Sequence, residues 1–368
     1  MEVHDNRSQI VTIMSVPPLK MTEPRAVRRV SVSEENTRAI HGCYQIVLYY
    51  QNLHEEGQGW CLAGWIVESL ARVLLDHPLL AGRLQRRDDT HTHTHTTFEI
   101  VANDSGIRLL EACYPTTLSH FLELSTKEQH LEAQLVFWKE IDHHFPQFSP
   151  LFYVQVTNFE CGGYSIGISC SLLLAEVLLV ENFLGKWAEI HNKMSPQNEE
   201  IKKPIFYHPR LKNPECLPAD IISRTEGQNG VQSMVFKITT EEANSNSNWW
   251  RKLAMLCVEE ADQKLGSSLG SEFCLVVKES SEVIKVESCS VNGWNVQGMC
   301  VKHEISRSTW EEFGVYEVAF NEGNKPVHVS CWIDSVSLAF GYAMALPLNH
   351  NACAVILVSP PLSSSPSF

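Results

Sequence analysis

The sequence predicts an α/β fold with two domains joined by a long linker. Strand-like runs rich in β-branched and aromatic residues alternate with segments whose apolar residues recur at helical spacing. A polar stretch with five prolines separates two such regions, and 368 residues are enough for two cores. We assign an N-terminal domain to residues 1–195, a crossover linker to 196–232, a C-terminal domain to 233–358 and a disordered tail to 359–368.

The N-terminal domain shows strand patterns interrupted by two helical patterns. Residues 60–75 carry apolar side chains at helical spacing, and His77-Pro78 ends the pattern. Gly162-Gly163 forms a predicted turn between two apolar runs. The predicted strands are Tyr44–Tyr50, Phe98–Val101, Leu151–Thr157 and Tyr164–Cys170, and the second helical pattern runs from Leu172 to about His191.

The C-terminal domain begins with one helical pattern and continues mostly with strands. Residues 249–265 predict a helix that starts at two adjacent tryptophans. The predicted strands that follow are Phe273–Val277, Val283–Val286, Tyr316–Phe320, Val327–Trp332 and Ala352–Val358. The Ser/Pro-rich tail from Ser359 is expected to be loose.

The charge of the chain limits the classes of partner. The formal net charge of −14 disfavours nucleic acid and bare anionic membrane as main partners, because both require concentrated positive charge. Two arginine groups lie close together in sequence, and we interpret both as solvated surface. They are Arg25, Arg28 and Arg29, and Arg83, Arg86 and Arg87.

The cysteines and the hydropathy predict an intracellular protein without a membrane span. Twelve cysteines are scattered without Cys-x-x-Cys spacing, so a structural zinc site is not expected. The N-terminal residues lack a secretory pattern, and we expect reduced cysteines that mostly fill the core. No apolar run approaches the ~18 residues that a spanning helix needs. The predicted location is therefore cytoplasmic.

Several sequence blocks occur in an order typical of one family. The ordered set spans most of residues 40–345, and it resembles the BAHD acyltransferases, plant proteins that move acyl groups from coenzyme A thioesters. The blocks are His77–Leu84 (HPLLAGRL), Asn103–Arg108 (NDSGIR), Phe148–Leu151 (FSPL), Val154–Phe159 (VQVTNF), Cys161–Gly163 (CGG) and Tyr316–Pro326 (YEVAFNEGNKP).

This resemblance implies a more detailed fold. We expect two chloramphenicol-acetyltransferase-like domains, each a mixed sheet with flanking helices, which meet at a central channel. Residues 260–300 match the family pattern weakly, so the C-terminal domain is expected to be reduced.

The motif that the family uses for catalysis is altered in this chain. The family places His-x-x-x-Asp at the end of a strand, and the sequence here has Leu172 and Glu176 at those positions. In the family the histidine takes a proton from the attacking alcohol or amine, and such general-base assistance is worth about 10²–10⁴ in rate. Because leucine has no proton-accepting atom, no catalytic residue of the motif is intact.

Neighbouring residues offer poor substitutes for the missing base. Ser171 lies one residue away, and one step along a strand points a side chain to the opposite face. Ser169 and Cys170 have similar limitations, and His143 and His144 belong to another polar segment. A rescuing base remains the less favoured alternative.

The other motif positions have structural rather than catalytic interpretations. The resemblance implies that residue 176 pairs with an arginine, and a buried Glu176 must be either paired or protonated. Ala319 stands where the family has a second aspartate, and Asn321 and Gly323 belong to the same eroded motif. We predict that Ser171, Leu172, Glu176, Ala319, Asn321 and Gly323 form a channel or structural motif.

Within the family, the chain is most similar to the eceriferum-2-like branch. That resemblance implies a non-catalytic accessory in very-long-chain fatty acid elongation for cuticular wax. The implied partner is a ketoacyl-CoA synthase, through which the protein would associate with the endoplasmic reticulum. No cofactor is implied, and acyl-CoA is a possible ligand. Leu172, Leu173 and Leu174 could line an apolar passage or simply pack the core, and the sequence leaves both open.

Three other functions remain open at this point. The protein could be an acyl-CoA-dependent acyltransferase with an unconventional base, a BAHD-fold lyase, or a decaying paralogue without function. The lyase would need polar groups converging on the channel, which Leu172 and Ala319 disfavour.

Two further features have ordinary interpretations that we prefer. His91, His93 and His95 alternate with threonine, so one strand face could gather three imidazoles for zinc or copper, but a polar hairpin loop is the favoured interpretation. Trp249-Trp250 could anchor a partner, although a core or interdomain contact is favoured.

Overall fold

The structure is a computed structural model with two mixed β-sheets and helices packed against them. It describes residues 7–33, 40–52, 59–87, 95–194, 231–240, 247–265, 272–290, 303–320, 323–334, 341–349 and 353–359. The predicted α/β class is confirmed.

The first sheet contains seven strands within the described residues. Its spatial order is β1-β6-β7-β8-β3-β14-β9, and only the β6–β7 pair is parallel. The strands are β1 (Gln9–Val16), β3 (Cys43–Tyr50), β6 (Ile107–Tyr114), β7 (Phe152–Phe159), β8 (Tyr164–Ser171), β9 (Val231–Gln232) and β14 (His328–Asp334).

The second sheet contains nine strands of the described part of the chain. Its order is β13-β10-β16-β15-β11-β12-β2-β5-β4, with parallel pairs at β11–β15 and β12–β2. The strands are β2 (Val27–Ser33), β4 (Arg83–Arg87), β5 (His95–Val101), β10 (Met234–Thr240), β11 (Glu272–Lys278), β12 (Val283–Ser290), β13 (His303–Ser308), β15 (Gly341–Asn349) and β16 (Cys353–Ser359).

Both sheets draw strands from both sides of the predicted linker. β2, β4 and β5 precede the linker and join the second sheet, while β14 follows it and joins the first; β9 also joins the first sheet and lies at the end of the linker itself. The predicted domain boundaries stay predictions, and most of the linker lies outside the described residues. Strand exchange of this kind connects the two sheets within the described residues.

Five α-helices cover the sheets in the described ranges. The helices are α1 (Gly59–Val73), α2 (Leu118–Ser125), α3 (Ala175–Leu179), α4 (Phe183–Met194) and α5 (Ser247–Leu265). α1 and α4 pack against each other, and α5 lies on β11, β15 and β16. No described helix has the length and apolar composition required to cross a bilayer.

Two buried clusters dominate the core. The larger one joins side chains of both sheets, including Val30, Leu48, Leu172 and Tyr342. The second lies between α5 and the second sheet, and it contains Trp249 and Trp250, which are 8% and 6% exposed. The favoured core placement of these two tryptophans is confirmed.

Three sequence-based expectations are wrong. Residues 315–317 form a 3₁₀ turn instead of part of a strand, and 318–320 follow without a β ladder. Arg28 and Arg83 are buried at 5% and 3% exposure, so neither arginine group is wholly solvated surface. The second helical pattern breaks between α3 and α4, where Asn182 has a φ of 52°.

Candidate functional site

The motif turn begins where β8 ends. The Ser171 Oγ accepts a hydrogen bond from the Leu173 backbone amide at 3.4 Å, which caps the short 3₁₀ turn Leu172–Leu174. The Leu172 amide donates to the Gly42 carbonyl at 3.1 Å, so the turn is also fixed to the chain just before β3. The altered motif therefore keeps a defined backbone geometry.

Leu172 is packed into the interface between the two sheets. It is 2% exposed, and its Cδ1 lies 2.7 Å from the position that a Cβ on Gly42 would occupy. The Tyr342 ring of β15 lies 3.5 Å from that same position. Leu173 and Leu174 are fully buried in the same cluster. The three leucines act as core residues in this structure.

The groups considered as substitutes for the base either have structural roles in the core or lie on the surface. Burial raises the pKa of the Cys170 thiol well above its ordinary value, so the thiol stays protonated near neutral pH. The Ser169 hydroxyl accepts a hydrogen bond from Gln45 Nε2 at 3.2 Å, and the Ser171 hydroxyl is used in the cap. His143 and His144 lie in an exposed loop, with ring centres 5.8 Å apart.

Glu176 is a buried member of an ion-pair network. The carboxylate is 1% exposed and pairs with the Arg28 guanidinium of β2. The Lys278 Nζ at the end of β11 lies 3.7 Å from Glu176 Oε1 and 3.7 Å from Glu181 Oε1. His77 Nδ1 lies 3.1 Å from the Glu181 Oε2. Glu176 and Glu181 therefore each have a cationic partner, which offsets the cost of removing their charge from water.

This network connects the motif helix to the second sheet. Glu176 belongs to α3, which comes after β8 of the first sheet along the chain. Arg28 and Lys278 belong to β2 and β11 of the second sheet. The Arg28 Nε also donates to the Ser281 carbonyl at 3.2 Å. The hydrogen bond from His77 lowers the pKa of Glu181 and outweighs the opposing effect of burial. These ion pairs and hydrogen bonds connect the two sheets without a bound substrate.

The eroded C-terminal motif is held by hydrogen bonds to its backbone. Three consecutive carbonyls accept side-chain donors: Tyr50 reaches Val318 at 2.8 Å, Asn192 reaches Ala319 at 2.7 Å, and Tyr164 reaches Phe320 at 3.0 Å. These bonds take the place of a β ladder. Because they use carbonyls, they do not depend on the side chain at position 319.

The rest of this motif forms a turn into β14. Gly323 has a φ of 81°, in the left-handed region that favours glycine. Asn324 is 5% exposed, and its side-chain amide donates to the Gln51 carbonyl at 3.1 Å. Asn321 lies outside the described residues, so its predicted role in this motif stays a prediction.

A buried histidine that the sequence did not single out lies beneath this motif. His191 of α4 is 2% exposed, and its ring centre is 5.3 Å from that of Phe320. Its Nδ1 lies 3.2 Å from Ser69 Oγ, which also accepts a hydrogen bond from Trp187 at 2.9 Å. Burial lowers the pKa of His191 to about 4. The ring is therefore a neutral core group at physiological pH.

The proposed metal ligands are only partly within the described structure. His91 and His93 lie outside the described residues, and His95 begins β5. Across the part of the chain that the structure describes, no group of three or more His, Cys, Asp or Glu side chains is placed to hold a metal ion.

Two surface cavities lie away from the altered motif. The larger, about 790 Å³, is lined by α2 together with residues such as Asn52, Cys161 and Val327. The smaller, about 410 Å³, lies where β13, β10 and β14 approach one another. The walls of these two cavities do not include Leu172 or Glu176.

The two mixed sheets and the ordered sequence blocks define an acyltransferase-type fold, and the assignment of Leu172 and Glu176 to its motif positions stays a prediction. The model of the Transferase family matches residues 11–269, which is more than half of the chain. The chain belongs to this family, the BAHD acyltransferases. The resemblance proposed from the sequence blocks is confirmed.

The curated relatives include both acyltransferases and eceriferum proteins. Anthranilate N-benzoyltransferase protein 2 of Dianthus caryophyllus is 25% identical over 208 residues, covering 53% of this chain and 44% of that protein. Protein ECERIFERUM 2 of Arabidopsis thaliana is 28% identical over 184 residues, covering 50% of this chain and 38% of that protein. The chain thus spans less than half the length of these relatives.

Solved structures align over most of the chain at low identity. Vinorine synthase is 15% identical with a TM-score of 0.46, covering 97% of this chain and 95% of that one. F. graminearum TRI101, complexed with Ethyl Coenzyme A, is 13% identical with a TM-score of 0.42, covering 90% of this chain and 94% of that one.

Proposed function

We propose that this protein is a non-catalytic BAHD-fold accessory in very-long-chain fatty acid elongation for cuticular wax. The observation that carries the proposal is Leu172, an aliphatic side chain buried at the position where acyl transfer needs a proton acceptor. Removing a general base typically lowers a rate by about 10²–10⁴. The eceriferum-named relatives support the connection to wax.

The surrounding structure supports a role as a binding body. The Arg28–Glu176 pair ties the motif helix to the second sheet, and three side-chain donors fix the backbone of residues 318–320. These interactions maintain the arrangement of the two sheets although the motif has lost its histidine. A scaffold that retains this order is suited to binding rather than to proton transfer.

The proposed partner is a ketoacyl-CoA synthase at the endoplasmic reticulum, and the proposed ligand is a long-chain acyl-CoA. In this scheme the condensing enzyme performs the chemistry, and the accessory protein changes which chain lengths it accepts. The buried leucines limit the mechanism, because Leu172, Leu173 and Leu174 pack the core. Acyl chains would therefore contact other surfaces of the protein.

Co-expression in yeast with individual ketoacyl-CoA synthases tests this function. We expect the longest fatty acids to increase in length when the protein accompanies at least one synthase. Unchanged chain lengths across several synthases would contradict the accessory function.

A second assay separates this function from catalysis. Purified wild-type protein and L172H are incubated with acyl-CoAs and candidate alcohols or amines, and free thiol is measured. We expect no thioester turnover above background from the wild type. Turnover by the wild type would favour an acyltransferase with an unconventional base. Turnover by L172H alone would show that a histidine at position 172 is sufficient to restore acyl transfer.

A further inference from the structure

A short loop presents two phenylalanine rings to solvent. Phe145 and Phe148 are 55% and 74% exposed, and their ring centres lie 6.4 Å apart. Both belong to the segment between Asp142 and Pro150, which contains the 3₁₀ turn Pro146–Phe148. The two rings together form a contiguous apolar patch, and such patches are often functional on soluble proteins.

The backbone of this loop is held in place by hydrogen bonds. The Asp142 Oδ1 accepts from the amides of His144 at 2.8 Å and Phe145 at 3.1 Å, while the Asp142 amide donates to Ser149 Oγ at 2.9 Å. The two amides that donate to Asp142 lower the pKa of its carboxyl group, so it remains ionised and the bonds persist. The rings are displayed by an ordered turn.

Charged side chains of both signs lie around this loop. β4 lies alongside the 3₁₀ turn, and Arg83 forms an isolated bridge with Pro150. Further along β4, Arg86 is exposed, and its guanidinium lies 5.9 Å from the centre of the Phe98 ring. Lys139 is exposed on the approach to the loop, where Glu140 and Asp142 are also exposed. Although the chain has a net charge of −14, the positive and negative charges of these exposed side chains balance on this part of the surface.

We propose that this loop is a membrane-surface anchor, in which Phe145 and Phe148 insert into the interfacial region of a bilayer. Aromatic rings favour that region, where their apolar faces leave water. Arg86 and Lys139 would lie near the lipid phosphates. This site does not depend on the proposed function, because a bilayer can be bound with or without an effect on elongation.

The size of the patch favours a bilayer over a protein. The exposed parts of the two rings amount to about 260 Å², taking ~200 Å² for a fully exposed phenylalanine. A stable protein interface buries ~800 Å² on each partner. A lipid surface needs no complementary shape, so two inserted rings are enough for weak, reversible attachment.

Vesicle flotation with the purified full chain tests the proposal. The vesicles contain phosphatidylcholine, phosphatidylethanolamine and phosphatidylinositol. We expect the wild type to float with them, and F145S/F148S to lose at least about tenfold in partitioning because both rings lose their apolar insertion. Thermal unfolding should be nearly unchanged, since both side chains project into solvent.

Val327 provides a matched control. V327S also removes an exposed apolar side chain, 45% exposed, at the other end of the first sheet. The Val327 amide donates to the Tyr49 carbonyl, and Tyr49 pairs with Ser165 near the start of β8. The loop lies near the other end of β8, where the Ser171 amide donates to the Leu151 carbonyl. V327S should float like the wild type.

Two results would overturn the proposal. One is a wild type that does not float, and the other is an F145S/F148S variant that floats as well as the wild type and V327S. If the wild type does not float but F145S/F148S loses co-purification with a condensing enzyme in detergent, the loop is instead a protein docking site, which also rejects the membrane anchor.

Discussion

Leu172 occupies the space that a side chain at position 42 would need. The Leu172 Cδ1 lies 2.7 Å from the Cβ position of an alanine at Gly42, closer than real carbon atoms approach. The φ of Gly42 lies outside the left-handed region, so the requirement for glycine there is steric rather than conformational. Leu172 and Gly42 therefore pack as a unit.

This contact predicts coupled effects on stability. G42A should lower the free energy of unfolding by about 1–3 kcal/mol through overpacking, and L172A by about 2–5 kcal/mol through the cavity it leaves. In G42A/L172A the new methyl group fills part of that cavity, so the loss should be smaller than the two single losses combined. Denaturant titration of all four proteins measures the coupling, and strict additivity would show that the two residues do not share this space.

The buried ion pair predicts that single changes are worse than a double change. Among the described residues, R28M leaves the Glu176 carboxylate with Lys278 as its one cationic partner, at 3.7 Å, and we expect a loss of about 3–5 kcal/mol in the free energy of unfolding. R28M/E176L removes both buried charges and should be more stable than R28M. Lys278 keeps Glu181 at 3.7 Å in the double variant. If R28M unfolds like the wild type, the pair contributes little.

His191 predicts a specific dependence of stability on pH. Its pKa is about 4 in the folded protein and ~6.5 when unfolded, so the unfolded chain binds more protons between these values. The free energy of unfolding should therefore fall as the pH decreases from about 6.5 to 4, by about 3 kcal/mol from this residue. Denaturant titrations across this range should give a shallower slope for H191Q.

The exposed His120 supplies the control for this experiment. Its side chain lies on the surface of α2, and H120Q is the matched His-to-Gln change against which the slope of H191Q is compared. Carboxyl groups also titrate in this range, and therefore only the difference between variants reports on His191. Equal slopes for H191Q and the wild type would mean that the ring is accessible to protons in the folded state.

Gly167 predicts a large steric penalty in the strand that leads to the motif. A Cβ at this position would lie 1.9 Å from the Leu135 carbonyl oxygen, which belongs to backbone and cannot rotate away. G167A should lower the free energy of unfolding by about 3 kcal/mol or more. G314A is the comparison, since no atom lies within 4 Å and only the φ of 69° is unfavourable, at about 1–2 kcal/mol. Similar losses in both variants, measured by denaturant titration, would contradict the steric explanation.

The sequence was most informative where a local pattern is strong. The helical spacing of residues 60–75 predicts α1, found at Gly59–Val73, and the apolar run before the motif predicts β8, found at Tyr164–Ser171. In α1 the apolar spacing marks the helix, whereas every residue of β8 is buried and the signal there is its β-rich composition. β2 has no such pattern, because Arg28 and Arg29 interrupt its apolar residues, and it was missed.

Single residues depart from the expectation where their partners are distant in sequence. Arg28 was expected in solvent, yet its partner Glu176 lies 148 positions away. The sequence predicts a strand at Tyr316–Phe320. The structure instead has a 3₁₀ turn at Val315–Glu317, and the carbonyls that follow it accept hydrogen bonds from side chains of β3, β8 and α4. Neither outcome could be inferred from neighbouring residues.

The sequence by itself determined the chemistry at position 172, since the absence of a proton acceptor in leucine needs no coordinates. It also determined the family, through blocks that keep their order. Only the tertiary structure decided that Leu172 fills the space above Gly42, that Glu176 is neutralised from the second sheet, and that His191 is buried. The physical reason is that burial and charge pairing depend on which distant segments meet, whereas the functional groups of a side chain are fixed by its identity.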